Sequence, residues 1–170
     1  MTRQVLKYIP ALVCMWVTGA PAADINLSGT VVAAACTVDT NTKAQTVTFQ
    51  QARAVDYKTV GSTSEWQDFQ LSLSGCPAST TQVTASFSGD ADTVDPTKFS
   101  NSLGNATGMA LQIMTRDHLT EIQPLGALTV GVNSTQNSVI FPLSARLYTP
   151  TGVVTAGEFK TVMQFSFTYQ

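Results

Sequence analysis

The sequence predicts an all-β sandwich. Apolar and polar residues alternate strictly in several separate stretches, clusters of turn-forming residues divide those stretches, and no long stretch shows helical periodicity. A chain of 170 residues without a shift in composition reads as one domain.

The first stretch stands apart from that pattern. Arg3 and Lys7 give a positive start, an apolar run follows from Ile9 to Val17, and Ala20-Pro21-Ala22 places small residues where a signal peptidase reads. Residues 1–22 are therefore expected to be a secretory signal peptide; the apolar run falls short of the ~20 residues that span a bilayer. Cys14 follows Val13 rather than a small residue, which gives little support to a lipid anchor. Cleavage after Ala22 leaves 148 of the 170 residues. Nine basic residues less Arg3 and Lys7 leave seven against eleven acidic ones, a net charge of −4. A mildly acidic chain without a basic run is unsuited to nucleic acid, and none is expected as a partner.

Removal of Cys14 leaves Cys36 and Cys76 in an exported chain, and the natural reading is one disulfide. Closing that loop contributes ~4 kcal/mol in the chain-entropy treatment.

The expected strands follow in order. Ile25, Leu27, Gly29 and Val31 alternate with Asn26, Ser28 and Thr30. Phe69, Leu71 and Leu73 share a face within residues 66–74, and Val83, Ala85 and Phe87 form the next row, ended by Ser88-Gly89-Asp90. Met109, Leu111 and Ile113 make another row; Val139, Phe141, Leu143, Ala145 and Leu147 a further one; Thr161, Met163, Phe165, Phe167 and Tyr169 the last. Turn clusters at residues 60–64, 90–96, 101–108 and 149–152 separate them.

The residue inventory argues against an enzyme. His118 is the single histidine, so a multi-histidine metal site cannot be built, and no phosphate loop or nucleophile elbow is present. His118 reads as a solvated turn residue. Asp90, Asp92 and Asp95 lack the spacing of a calcium loop and read as a solvated turn. Glu65 and Asp68 flank Trp66 but, three apart on a strand, point to opposite faces. The triplets opened by Asn26, Asn105 and Asn133 fit a glycosylation pattern that is frequent by chance in so Ser/Thr-rich a chain. No cofactor or metal is expected. What stands out is that both ends of the mature chain read as strands without a hairpin partner, which monomers normally avoid.

Several motifs then resemble one family. Gly29-Thr30-Val31-Val32 leading to Cys36 is similar to the N-terminal extension of chaperone–usher fimbrial subunits (pilins). Leu71-Ser72-Leu73-Ser74-Gly75-Cys76-Pro77, followed by Val83-Thr84-Ala85-Ser86-Phe87-Ser88-Gly89, resembles the minor, adaptor subunits of type 1 fimbriae. Gly157, fourteenth from the end, and the penultimate Tyr169 match the family's C-terminal pattern. The resemblance implies an incomplete immunoglobulin-like β-sandwich lacking its last strand, completed by a donor strand from a neighbour or a chaperone. It implies a signal peptide at 1–22, a donor-strand extension at 23–34 and a pilin domain at 35–170. Ile25, Leu27, Gly29 and Val31 become the donor residues. Gly157, Met163, Phe165, Phe167 and Tyr169 become the strand offered to the chaperone and bordering the groove. The implied partners are a periplasmic pilus chaperone, an outer-membrane usher and neighbouring fimbrial subunits. The implied route is through the periplasm to a fimbrium on the cell surface.

The expected function is thus a structural minor or adaptor subunit serving cell adhesion. A main-shaft subunit shares these features, and the block from Cys76 to Gly89 tilts the reading towards the minor class. A self-sufficient carbohydrate-binding module with Trp66 as a stacking platform is the alternative of a different class. Of the donor residues, Gly29 is expected where the recipient leaves no room for a side chain. Gly29→Leu should therefore block incorporation into a fibre without unfolding the pilin domain. Electron microscopy of fibres from a strain carrying only the variant checks this, and fibres of normal number and length would refute it.

Overall fold

A computed structural model describes residues 35–170. The expected signal peptide and the expected donor residues Ile25, Leu27, Gly29 and Val31 lie outside the described residues. Among the described residues, nine strands build two sheets: β1 (Thr37–Val38), β2 (Gln67–Ser74), β3 (Gln82–Ser88), β4 (Phe99–Ser100), β5 (Ala110–Thr115), β6 (Glu121–Ile122), β7 (Ala127–Gly131), β8 (Val139–Tyr148) and β9 (Gln164–Tyr169). The larger sheet has the order β1-β2-β8-β5-β4, with β6 also on β5, and the smaller has the order β7-β3-β9. Every strand pair is antiparallel.

The period-2 pattern explains the layers. Phe69, Leu71 and Leu73 of β2, Phe141 and Leu143 of β8, and Ile113 of β5 point inward from the larger sheet. They meet Val83, Ala85 and Phe87 of β3, all nearly inaccessible to solvent. Each of the larger of these side chains contributes roughly 1.5–3 kcal/mol on burial, which fixes the register, because a one-residue slip would turn the whole row outward.

Pro142 sits inside the central strand β8, where proline is normally excluded. Its position explains the exception. The β5–β8 pairing stops at Thr115↔Leu143, and the Pro142 carbonyl accepts from the Arg116 N–H (3.0 Å) beyond it. The missing N–H therefore falls where the neighbouring strand has ended.

The edge of β2 is closed by β1 and then by a single turn of helix, α1 (Thr40–Lys43). Buried Thr42 takes the place of a strand residue: its hydroxyl donates to the Ser72 carbonyl (3.2 Å) and accepts from the Ser72 N–H (2.8 Å). The Cys36–Cys76 disulfide ties the segment before β1 to the β2–β3 connection across 40 residues of sequence.

The turn at residues 90–98 is ordered by its acids. Asp92 accepts from the Val94 and Asp95 N–H groups, and Asp95 accepts from the Thr97 N–H and hydroxyl. Lys98, only 6% exposed, bridges Asp95 (3.3 Å) and Glu121 (2.9 Å). Burial pulls the Lys98 ammonium down, but Glu121 and Asp95 more than offset it and hold it above its ordinary value. Burial likewise pushes Asp95 up, while hydrogen bonds from Thr97 and Lys98 outweigh it and hold the carboxyl below its ordinary value.

A depressed carboxyl gives stability that is complete above its unfolded value of 3.8 and is lost as pH falls through the lower folded value. The urea midpoint should therefore decline below about pH 4, and Asp95→Asn should flatten that decline while lowering the midpoint at pH 7. Parallel midpoint–pH curves for the two proteins would refute the assignment.

Candidate strand-binding groove

β9 reads Gln164-Phe165-Ser166-Phe167-Thr168-Tyr169, with aromatic residues on one face and polar residues on the other. Its hydrogen-bonded partner is β3, in register from Val83↔Tyr169 to Ser88↔Gln164, and its other edge has no strand beside it among the described residues. The inward row is accordingly only half-buried, whereas the inward row of its neighbour β3 is fully buried. Phe167 reaches across to Phe141 of the larger sheet (centroids 5.7 Å apart) and to Phe165 (5.5 Å).

Beside this free edge lies an open groove of about 850 Å³. One wall is the segment entering β9, including Gly157, Phe159, Met163 and Phe165; the other is the irregular segment 44–53, with Val47 and Phe49. The floor is the larger sheet: Phe69, Leu71, Leu111, Ile113, Ala145 and Leu147. Lys43 and Lys160 are its charged lining residues. Burial and then Asp56 push the Tyr57 phenol above its ordinary value, against a hydrogen bond with Ser64. An apolar floor between two irregular walls suits an extended peptide with alternate apolar side chains, and offers no convergent pair of groups for catalysis.

One unpaired group and the direction of the walls characterise the groove. The Thr161 hydroxyl is buried at its wall without a hydrogen bond, a deficit of about 1–3 kcal/mol. The walls also run in opposite directions. Thr42 sits against Ser72 near the disulfide and Tyr57 packs with Met109 and Leu147 at the far end, while β9 runs from that far end back towards Cys36. At the finish of β9, the Tyr169 hydroxyl lies 3.5 Å from the Cys36 carbonyl.

The β9 wall is held by the 101–108 connection, which the sequence reads only as a loop. The Asn101 side chain donates to the Ala106 (2.8 Å) and Glu158 (3.0 Å) carbonyls and accepts from the Gly104 and Lys160 N–H groups. Asn105 accepts from the Glu158 N–H (2.6 Å), so this asparagine, noted only for its triplet, is a structural clamp. A Cβ on Gly157 would stand 2.7 Å from the Ala106 nitrogen and the Asn105 Oδ1.

The structure divides the C-terminal residues singled out by sequence. Gly157, Met163 and Phe165 line the groove. Phe167 and Tyr169 continue the same face but lie beyond its lining, packed against the core. The expected strand from Thr161 is also corrected: pairing begins at Gln164, and Thr161 to Met163 form wall without ladder.

The other flagged residues are engaged elsewhere. His118 is the exposed turn residue expected, and it also stacks on Trp66 (4.2 Å, 15° between planes); the Arg146 guanidinium lies 4.2 Å from the Trp66 centroid. A ring engaged by both groups is a poor platform for a sugar. Asp68 accepts from Ser144 and pairs with Arg116 at 3.4 Å, remote in role from Glu65. Among the described residues, no three His, Cys, Asp or Glu side chains group as a metal site.

Comparison with known proteins agrees with this architecture. The family model described as "Fimbrial protein" matches residues 25–170. FimG of Escherichia coli K12 is 34% identical over 145 residues, covering 85% of this chain and 83% of the relative. The laminin-binding fimbrial subunit ElfA of E. coli O157:H7 is 31% identical over 150 residues, covering 85% and 82%. Among solved structures, the P pilus rod subunit PapA superposes with a TM-score of 0.65 at 20% identity, covering 79% of this chain and 99% of its own. A chaperone–usher pilus structure gives 0.66 at 19% identity, covering 91% and 99%.

The clamp makes a direct prediction. Gly157→Ala should lower stability by about 1–3 kcal/mol through overpacking against the 101–108 backbone. Gly131→Ala, whose nearest neighbour is the Thr81 carbonyl oxygen at 4.0 Å, should cost much less. Urea unfolding of both variants checks the difference, and equal losses would refute the clamp.

Proposed function

The chain belongs to the fimbrial protein family, and on that premise we propose that it is a minor, adaptor subunit of a chaperone–usher fimbria that polymerises by donor-strand exchange. The family supplies pilus subunits with this incomplete immunoglobulin-like fold. The observation that carries the reading is the half-buried aromatic row of β9 beside an open apolar groove. An exposed patch of that kind promotes aggregation unless another chain covers it.

In this reading residues 1–22 are removed at export, and a periplasmic chaperone lends a strand to the groove. At the outer-membrane usher the extension of the next subunit, equivalent to residues 23–34 here, replaces it. Ile25, Leu27 and Val31 fill successive hollows while the peptide backbone pairs with the free edge of β9. This is β-augmentation: the ladder gives affinity and the alternate side chains give specificity. An incoming backbone also supplies a hydrogen-bond partner for Thr161. Met163 and Phe165 then serve the chaperone and the donor in turn. Phe167 and Tyr169 extend the paired edge beyond the groove.

Chain polarity favours a donor from another molecule. Cys36, where the extension joins the described body, lies at the finish of β9. The chain's own extension reaches its own groove only by running parallel to β9, whereas every strand pair in the fold is antiparallel. A neighbour's extension is free to enter antiparallel. The 71–89 block favours an adaptor over a main-shaft subunit, since the groove itself is common to both.

The experiment is periplasmic expression of the untagged mature protein with and without its cognate chaperone. Recovery as a one-to-one complex, with little soluble protein otherwise, is the expected result. A folded monomer in comparable yield without the chaperone would overturn the reading.

A further inference from the structure

The groove does not end at its walls. At the far end from Cys36 it runs into a smaller hollow lined by Ala54, Val55, Lys58, Gly152, Val153 and Val154, and Ala54 and Val154 belong to both. Three valines stand out here: Val55 is 52% exposed, Val60 62% and Val153 73%. They form one patch, because Gly152 packs so closely on residues 58–60 that a Cβ there would lie 2.9 Å from the Val60 nitrogen. Isolated exposed valines need no explanation, but a cluster continuous with an unfilled groove does.

The sequence holds a segment suited to it. The alternation Ile25, Leu27, Gly29, Val31 keeps one polar face, but the chain then reads Val32-Ala33-Ala34-Ala35 before Cys36. Such a run is apolar on both sides of a strand, as expected of a segment covered from two directions. A strand lying antiparallel to β9 starts at the Tyr169 end and leaves the groove at the Val55–Val153 end, so these four residues emerge over the patch. At about 3.3 Å per residue they span about 13 Å, enough to cross it before the body of their own subunit begins.

We propose that the Val55, Val60 and Val153 rim is the seat for the Val32-Ala33-Ala34-Ala35 linker of a second copy of this chain whose extension fills the groove. The inference rests on the strand-exchange part of that reading alone, with a like subunit and not an unlike one as the neighbour, and adds an interface to it. The rim and linker together set how closely the two bodies approach and restrict bending between them.

The test uses the full mature chain, supplied as its one-to-one complex with the chaperone that the peptide displaces, and two fluorescent peptides of equal length. One is native residues 23–35; the other carries Val32→Ser, Ala33→Ser, Ala34→Ser and Ala35→Ser. The native peptide should dissociate about tenfold more slowly, since only it covers the valines with apolar surface. On the recipient variant Val55→Ser/Val60→Ser/Val153→Ser that gap should close, while the serine peptide binds as it does to the unsubstituted protein, showing the groove intact. Equal dissociation of both peptides from the unsubstituted protein overturns the inference and leaves strand exchange standing. A gap that persists on the variant also overturns it, by placing the linker elsewhere. Binding of neither peptide overturns both statements for a second copy.

Discussion

A β-strand offers hydrogen bonds along two edges, and β9 uses one of them. Its inward aromatic residues are covered by the opposite sheet and, in their own, on the β3 side only among the described residues, so they stop at half-burial while the adjacent row on β3 is sealed. Packing a strand into that gap would remove apolar surface from water at about 25 cal/mol per Å² and pair its free backbone groups together. The rest of the molecule keeps the gap open and keeps it the right width.

Two devices hold it. Asn101, Asn105 and the bare backbone at Gly157 lock the segment leading into β9 onto the 101–108 connection. Thr42 and the Cys36–Cys76 bridge fix the start of the opposite wall on β2. Neither wall is a regular strand along its whole length, so neither is held by a continuous ladder, and side-chain hydrogen bonds and close backbone packing substitute for it. A groove with fixed walls costs less to fill than one that must be ordered by its ligand.

Much of this was legible in the sequence because period-2 alternation reports burial directly. The rows on β2, β3, β5 and β8 lie where alternation places them, as does the disulfide that cysteine arithmetic implies. The misses share a cause. Strand β7, Ala127–Gly131, has only Leu128 and Val130 to mark it, and its limits are set by β3 rather than by its own composition. Residues 161–163 alternate like the strand that follows, yet they lack a ladder, because pairing with β3 begins only at Gln164. Alternation records which face a residue turns inward and not whether its backbone has a partner, so it overstates the length of this strand. The stacking of His118 on Trp66, and the work done by Asn101 and Asn105, depend on residues far apart in sequence and leave no periodic trace.

The position of the disulfide has a mechanical consequence. Tension on a fibre built as proposed would enter each subunit at residue 35 and leave through the strand held in its groove. Cys36 hands that load across to Cys76 in the connection that leads into β3, so residues 37–75 are bypassed and cannot be drawn out. From there the force runs along β3 and β9, parallel to their axes. The ladder bonds are therefore loaded in shear and resist together, instead of opening one at a time as in an unzipping hairpin. A surface thread that must survive flow would fail by whole-strand slippage rather than by gradual unravelling of its subunits.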